Sequence, residues 1–146
     1  MYRKILIATD GSERSIKSSR HGIKLAKSLG SDVLVIYVIN EMAISSVIAT
    51  LIRKGSSEED LRKTLKASAE KIVMEVCKMG EASGVRVESL IREGDPASRI
   101  LDVARIEGVD LILMGSHGEG GITKRLIGSV AQKVLNWSDT PVMIVR

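Results

Sequence analysis

Five short apolar runs, separated by segments of helical period, constrain this chain more than any other feature. KILIAT (4–9), DVLVIYVI (32–39), VRVESLI (85–91), VDLILMG (109–115) and PVMIVR (141–146) carry Val, Ile and Leu almost without interruption. Strands buried on both faces need that composition, whereas a strand with one wet face alternates. The run 85–91 does alternate, with Arg86 and Glu88 between apolar neighbours, which suits an edge. Strands that alternate with helices pair in parallel through right-handed crossovers. The pattern therefore predicts an α/β fold: an open five-stranded parallel sheet with helices on both faces.

Four helical stretches join the runs. Residues 12–29 place Ile16, Ile23, Ala26 and Leu29 on one face, and Gly30 stops the helix. Residues 57–83 carry Leu61, Leu65, Ser68, Ile72, Val76 and Met79 at helical spacing, with Ser57 and Asp60 spaced as a capping box. Asp95 and Pro96 fit the cap and first position of a third helix. Residues 128–137 put Val130, Val134 and Trp137 on one side of a fourth. Residues 41–56 are the one long connection, with Ile44, Val47, Ile48, Leu51 and Ile52 at helical spacing. They read either as a short helix packed on the body or as a mobile flap or partner surface.

The 146 residues correspond to one domain, 1–146. The net charge is +4, spread along the chain, and the only aromatics are Tyr2, Tyr37 and Trp137. A binder of single-stranded nucleic acid stacks bases on aromatic platforms, so no nucleic-acid partner is expected. The one cysteine, Cys77, allows no intrachain disulfide and reads as a helix or core residue. The opening apolar run is too short for a signal peptide, and no window approaches the ~20 apolar residues of a spanning helix. The expectation is a cytoplasmic protein with no membrane association.

The chemistry lies in GSHGEGGITKRLIGSV, residues 115–130, where five of sixteen residues are glycine. Ordering glycine costs backbone entropy, so such a cluster calls for a close approach of backbone to something else. The stretch leaves the fourth strand and enters the last helix. In open α/β sheets, ligands sit beyond the carboxyl ends of strands where the strand order reverses. Bare amide groups and the positive end of a helix there form an anion site, most naturally for phosphates. Gly115 and Gly118 would admit the phosphate, and Gly128 with Ser129 would open the helix that points at it. Ser129 would donate its hydroxyl to phosphate or cap the helix. Lys124 and Arg125 would screen charge or form a solvated face. The Walker A string and the G-x-G-x-x-G fingerprint are both absent.

The spacing G-x2-G-x9-G-S, formed by Gly115, Gly118, Gly128 and Ser129, resembles the ATP-binding branch of the universal stress protein family. So do the opening strand ending in Thr9-Asp10-Gly11-Ser12, the Gly94-Asp95-Pro96 turn, the MGSHG run and the closing TPVMIV strand. The resemblance implies strand order 3-2-1-4-5, with a crevice between strands 1 and 4 faced by Asp10 and Gly115. It implies that Ala8, Thr9 and Asp10 line the nucleoside side, Asp10 accepting from ribose or adenine. Val38 would meet adenine through its backbone and Met114 would lie beside the nucleoside. Gly115, His117, Gly118, Gly128, Ser129 and Val130 would hold the phosphates of ATP, with Mg2+ or Mn2+ bridging them. On the residues alone, Asp10 also reads, though less well, as a turn or cap residue, and His117 equally as a residue that only holds its loop.

Two function classes follow. One is a nucleotide-dependent regulator or stress-response module. The other is a slow ATPase or autophosphorylating enzyme, which needs an oriented water and charge stabilisation at the γ-phosphate. A third reading is a nucleotide-free structural dimer in which the glycines serve only turn geometry. A phospho-receiver fits poorly, because the third strand ends in Arg92-Glu93 with only Asp10 opposite. The last strand, Val142, Met143, Ile144 and Val145, is an uncharged edge that invites pairing. A twofold partner strand would cover it, and the resemblance also implies such homodimers. The alternative is cover from elsewhere in the same chain.

Overall fold

A computed structural model describes residues 1–117 and 126–146 of the chain. In order, the elements are β1 (Lys4–Ala8), α1 (Glu13–Leu29), β2 (Asp32–Ile39), α2 (Glu41–Arg53), α3 (Glu58–Ser83), β3 (Val87–Glu93), α4 (Pro96–Ile106), β4 (Leu111–Gly115), α5 (Ser129–Trp137) and β5 (Val142–Val145). The five strands form one parallel sheet in the order β3-β2-β1-β4-β5, as expected. Beside β1, Ile7 is in register with Val35 on β2 and with Leu113 on β4.

Strand alternation divides the core into two layers. Leu6, Ala8, Leu34, Ile36, Ile112 and Met114 face Ala97, Ile100, Val103 and Ala104 of α4 and Ala131 and Val134 of α5. Ile5, Ile7, Val33, Val35, Leu111 and Leu113 face Ile23 and Ala26 of α1 and Val73 and Val76 of α3. Both faces of the central strands are thereby covered, which is why their sequences show no polar alternation.

The helical faces differ in detail from the periodicity. The buried side of α1 is Ser15, Ser18, Ser19, Gly22, Ile23 and Ala26, while Leu29 is exposed. Small side chains win there because the helix lies close on the sheet: a Cβ on Gly22 would stand 2.7 Å from Ile7 Cδ1. On α3 the buried residues are Ala69, Val73, Val76 and Gly80, and Ser68 is exposed. On α5, Ala131 and Val134 are buried and Trp137 is 76% exposed, so the tryptophan is not a core residue. The third strand starts at Val87, two residues later than its apolar pattern, although Val85 is buried.

The long connection contains a helix, α2. None of its residues is buried, and its half-buried side is Ile44, Ile48 and Leu51.

The tightest helix–sheet contact lies at Gly80. A Cβ there would stand 2.1 Å from Val87 Cγ2 and 3.0 Å from the Val85 carbonyl oxygen. Valine has no flexible tip to move aside. Gly80→Ala gains about 1 kcal/mol of helix propensity, yet overpacking costs about 1–3 kcal/mol. The expected outcome is a net loss of about 1 kcal/mol, read as a lower urea midpoint. A higher midpoint would show that α3 shifts freely on β3.

Candidate functional site

The strand order reverses between β1 and β4, so their carboxyl ends open a crevice. Ala8 and Met114 are register partners at its floor. Val38 lies one strand over, near the end of β2.

The β1–α1 turn forms the first wall. Thr9 continues the ladder, its N–H donating to the Ile36 carbonyl at 3.0 Å. Its buried hydroxyl lies 2.9 Å from Ser15 Oγ. Gly11 has φ +81, and a Cβ there would meet Ile72 Cδ1 at 2.7 Å, so the turn requires glycine twice over. Asp10 Oδ1 accepts from the Ser12 N–H at 3.0 Å and the Ser12 hydroxyl at 2.6 Å. Ser12 in turn caps α1 by accepting from the Ser15 N–H. Asp10 is thus a turn residue placed at the crevice, and the Ser12 amide and hydroxyl both donate to its carboxylate. Ser12 and Ser15 were not singled out in the sequence. Their signal was the cap spacing of Ser12 before Ser15, obscured by the many serines of α1.

The opposite wall leaves β4. Gly115 lies close under α1: a Cβ would stand 3.4 Å from Ser18 Oγ and 3.8 Å from the Arg14 carbonyl oxygen. These are ordinary contact distances, so the fold itself leaves room for a Cβ at this position. Ser116 is buried and ties three elements together. Its N–H donates to the Val145 carbonyl at 3.0 Å, its carbonyl accepts from the Gly128 N–H at 2.6 Å, and its hydroxyl lies 2.9 Å from His117 Nδ1. His117 is 6% exposed, and its Nε2 is buried without a hydrogen-bond partner among the described residues.

Gly128 is the N-cap of α5 and makes no side-chain cap bond. In α1, α2, α3 and α4, by contrast, Ser12, Asn40, Ser57 and Asp95 each accept an amide of the first turn. Ser129 occupies the first helical position, exposed, and does not cap; Val130 is half-buried beside it. The first turn of α5 thus presents amide donors and a hydroxyl without a capping side chain.

The structure brings Ala8, Thr9, Asp10, Met114, Gly115, His117, Gly128, Ser129 and Val130 to one end of the sheet, with Val38 at its flank. Gly118, Lys124 and Arg125 lie outside the described residues. Among the described residues no group of three or more His, Cys, Asp or Glu could hold a metal ion, and no helix is long and apolar enough to cross a membrane. Burial pushes the Cys77 thiol up, which makes it a poor nucleophile, in keeping with a helix residue.

The Gly94-Asp95-Pro96 turn closes the flank. Gly94 adopts φ +128 and donates its N–H to the Ile39 carbonyl at 3.0 Å. Asp95 Oδ2 accepts from the Ser98 N–H at 3.0 Å and hydroxyl at 2.8 Å, which holds its carboxyl below the usual range.

A doubly wound parallel sheet with a donor-rich loop and a helix start at its switch point defines a class of α/β ligand-binding folds. The Universal stress protein family profile matches residues 1–146, and the chain belongs to that family. The universal stress protein MJ0531 of Methanocaldococcus jannaschii is 36% identical over 146 residues, spanning 100% of this chain and 83% of that protein. The solved structure of MJ0577, from the same organism, superposes with a TM-score of 0.84 at 34% identity, covering 99% of this chain and 96% of that one. A universal stress protein from Archaeoglobus fulgidus, solved in complex with dAMP, shares the fold with a TM-score of 0.70 at 20% identity, covering 99% and 98%.

Removing the α4 cap tests the electrostatic reading. Asp95→Ala is expected to cost about 1 kcal/mol at neutral pH. Because the folded-state value is depressed, that contribution is complete above the unfolded value of about 4 and is lost as pH falls through the lower folded one. Urea melts of both proteins at pH about 7 and about 3 should show the gap closing in acid. A gap that stays constant would mean the carboxylate's charge contributes nothing.

Proposed function

We propose that the chain is an ATP-binding regulator, a single-domain stress-response module of the cytoplasm that works as a homodimer. One observation carries the reading: the uncapped start of α5 is bonded to Ser116, whose neighbour His117 holds a buried Nε2 without a partner among the described residues, at the carboxyl ends of β1 and β4. Amide, hydroxyl and imidazole N–H groups ask for an acceptor-rich anion. The dAMP bound by the A. fulgidus relative, together with the family resemblance, favours an adenine nucleotide.

In this reading Ala8, Thr9 and Asp10 line the nucleoside side, with the Val38 backbone and Met114 beside the base and sugar. Gly115, His117, Gly118, Gly128, Ser129 and Val130 hold the phosphates. Mg2+ or Mn2+ held by the phosphates would supply charge neutralisation. Asp10 and His117, the two side chains suited to act as a base, are each engaged by a neighbouring serine. That favours binding over hydrolysis.

The test is a calorimetric titration with Mg-ATP. Wild type is expected to bind, and Gly118→Val to bind at least about 30-fold more weakly, roughly 2 kcal/mol. Flat titrations for both proteins would remove the nucleotide from the account. Labelled ATP should also survive incubation intact. Rapid ADP release, abolished in Asp10→Ala or His117→Ala, would make the protein an enzyme instead.

The dimer reading rests on β5. The Pro141 and Val145 carbonyls accept from the Ile112 and Ser116 amides of β4. By strand alternation the backbone groups of Val142 and Ile144 point outward, and Val142, Met143, Ile144 and Val145 remain half-buried. A twofold copy of the strand completes both. Ile144→Pro removes an outward amide while leaving the bonds to β4. Sedimentation at micromolar concentration should give a dimer for wild type and a monomer for the variant. A monomeric wild type would overturn the assembly.

A further inference from the structure

We propose that His117 couples nucleotide binding to proton uptake, so that the site binds its polyphosphate more tightly as the medium becomes more acidic. The proposal rests on the nucleotide reading above and adds a regulation to it.

The argument starts from the ring's two nitrogens. Nδ1 lies 2.9 Å from Ser116 Oγ, while Nε2 is buried with no partner among the described residues. An imidazolium has two N–H groups and needs two acceptors. Among the described residues only Ser116 Oγ stands ready as one. The Ser116 carbonyl accepts from the Gly128 amide at 2.6 Å, which seats the ring's loop beside the first turn of α5. A phosphate oxygen held by that turn would be the missing acceptor, and its negative charge would favour the protonated ring. The proton comes from the buffer and resides on the imidazole. Ser116 has a separate role: its hydroxyl is acceptor or donor as the ring requires, so it accommodates both protonation states.

Other ionisable groups do not supply this linkage. Among the described residues, the elements around His117 carry Asp10 in the β1–α1 turn, Arg14 on α1, Lys133 on α5 and Arg146 beyond β5; Glu119, Lys124 and Arg125 of the glycine-rich stretch lie outside the described residues. Carboxylates, amines and guanidinium groups keep their charge between pH about 6 and about 8, the range in which imidazole titrates. Phosphate titrates there as well, so the ligand's own protonation must be subtracted.

The subtraction is made with His117→Gln, which keeps an amide near the position of Nε2 but cannot gain a proton. Mg-ATP is titrated by calorimetry at pH about 7 in two buffers of different ionisation enthalpy. Wild type is expected to take up roughly 0.3–1 proton more than the variant. Its affinity should gain up to about tenfold more per pH unit on acidification. A purely positional role for the ring would change affinity and leave the proton count equal. The second measurement needs no variant. The chain has two histidines, and His21 is exposed on α1, an internal reference in the same NMR spectrum. Adding Mg-ATP should move the His117 titration midpoint upward by about half a pH unit or more while His21 stays. Bound nucleotide with an unmoved His117 and equal proton counts would overturn the proposal alone. No binding at any pH would overturn the nucleotide reading and this proposal together.

Discussion

The parallel pairing of β1 with β2 on one side and β4 on the other is the constraint on which the rest depends. It places Ile5, Leu6 and Ile7 at zero exposure and fixes where the strand order reverses. The next residues must then leave the sheet at the crevice, and they do so through Thr9, Asp10 and Gly11. α1 can return over β1 and β4 only because its inner face is Ser15, Ser18, Ser19 and Gly22. The same pairing sets the end of β4, where Gly115 lies, beside the end of β1, so it places both walls of the candidate site.

The polar contacts of the site are local and short-ranged. The amide and hydroxyl of Ser12 donate to Asp10, and Ser116 links β4 to β5 and to α5. These bonds position backbone more than they contribute chemistry, which suits a site that recognises a ligand through amide groups. Such a site needs order before the ligand arrives, since ordering a loop on binding subtracts from affinity. The exposed α2 has no comparable anchoring, and none of its residues is buried.

Much of this was legible from the residues because the signals repeat. Five apolar runs, a Gly30 stop and the Asp95-Pro96 start each name an element, and each run holds a strand, with β3 shifted two residues onward, while the α4 cap is where its signal puts it. The helix phases were less legible. Hydrophobicity favoured Leu29 and Trp137 as core residues, but both lie beyond the sheet's reach at helix ends, and both are exposed. Ser68 lost its place on α3 to Ala69: the buried face runs Ala69, Val73, Val76 and Gly80, one residue off in phase at both ends of the predicted stripe. The serines and glycine under α1 were illegible for a physical reason: close packing selects for small size, and size leaves no hydrophobic pattern. Of the site, the glycine spacing and Asp10 were visible. Ser116 as a three-way tie and the lone Nε2 of His117 emerge only when β5 and α5 are folded against β4.

The two rims of the sheet are unlike. β3 carries Glu88, Arg92 and Glu93 outward-exposed, with Arg86 paired to Glu88 just before and within it, while β5 carries no charge between Val142 and Val145. A copy adding in head-to-tail fashion would set bare aliphatic residues against solvated ions, and continued stacking of that kind would build a fibre. The charged rim blocks that growth, so any association begun at the neutral rim closes after a single pairing.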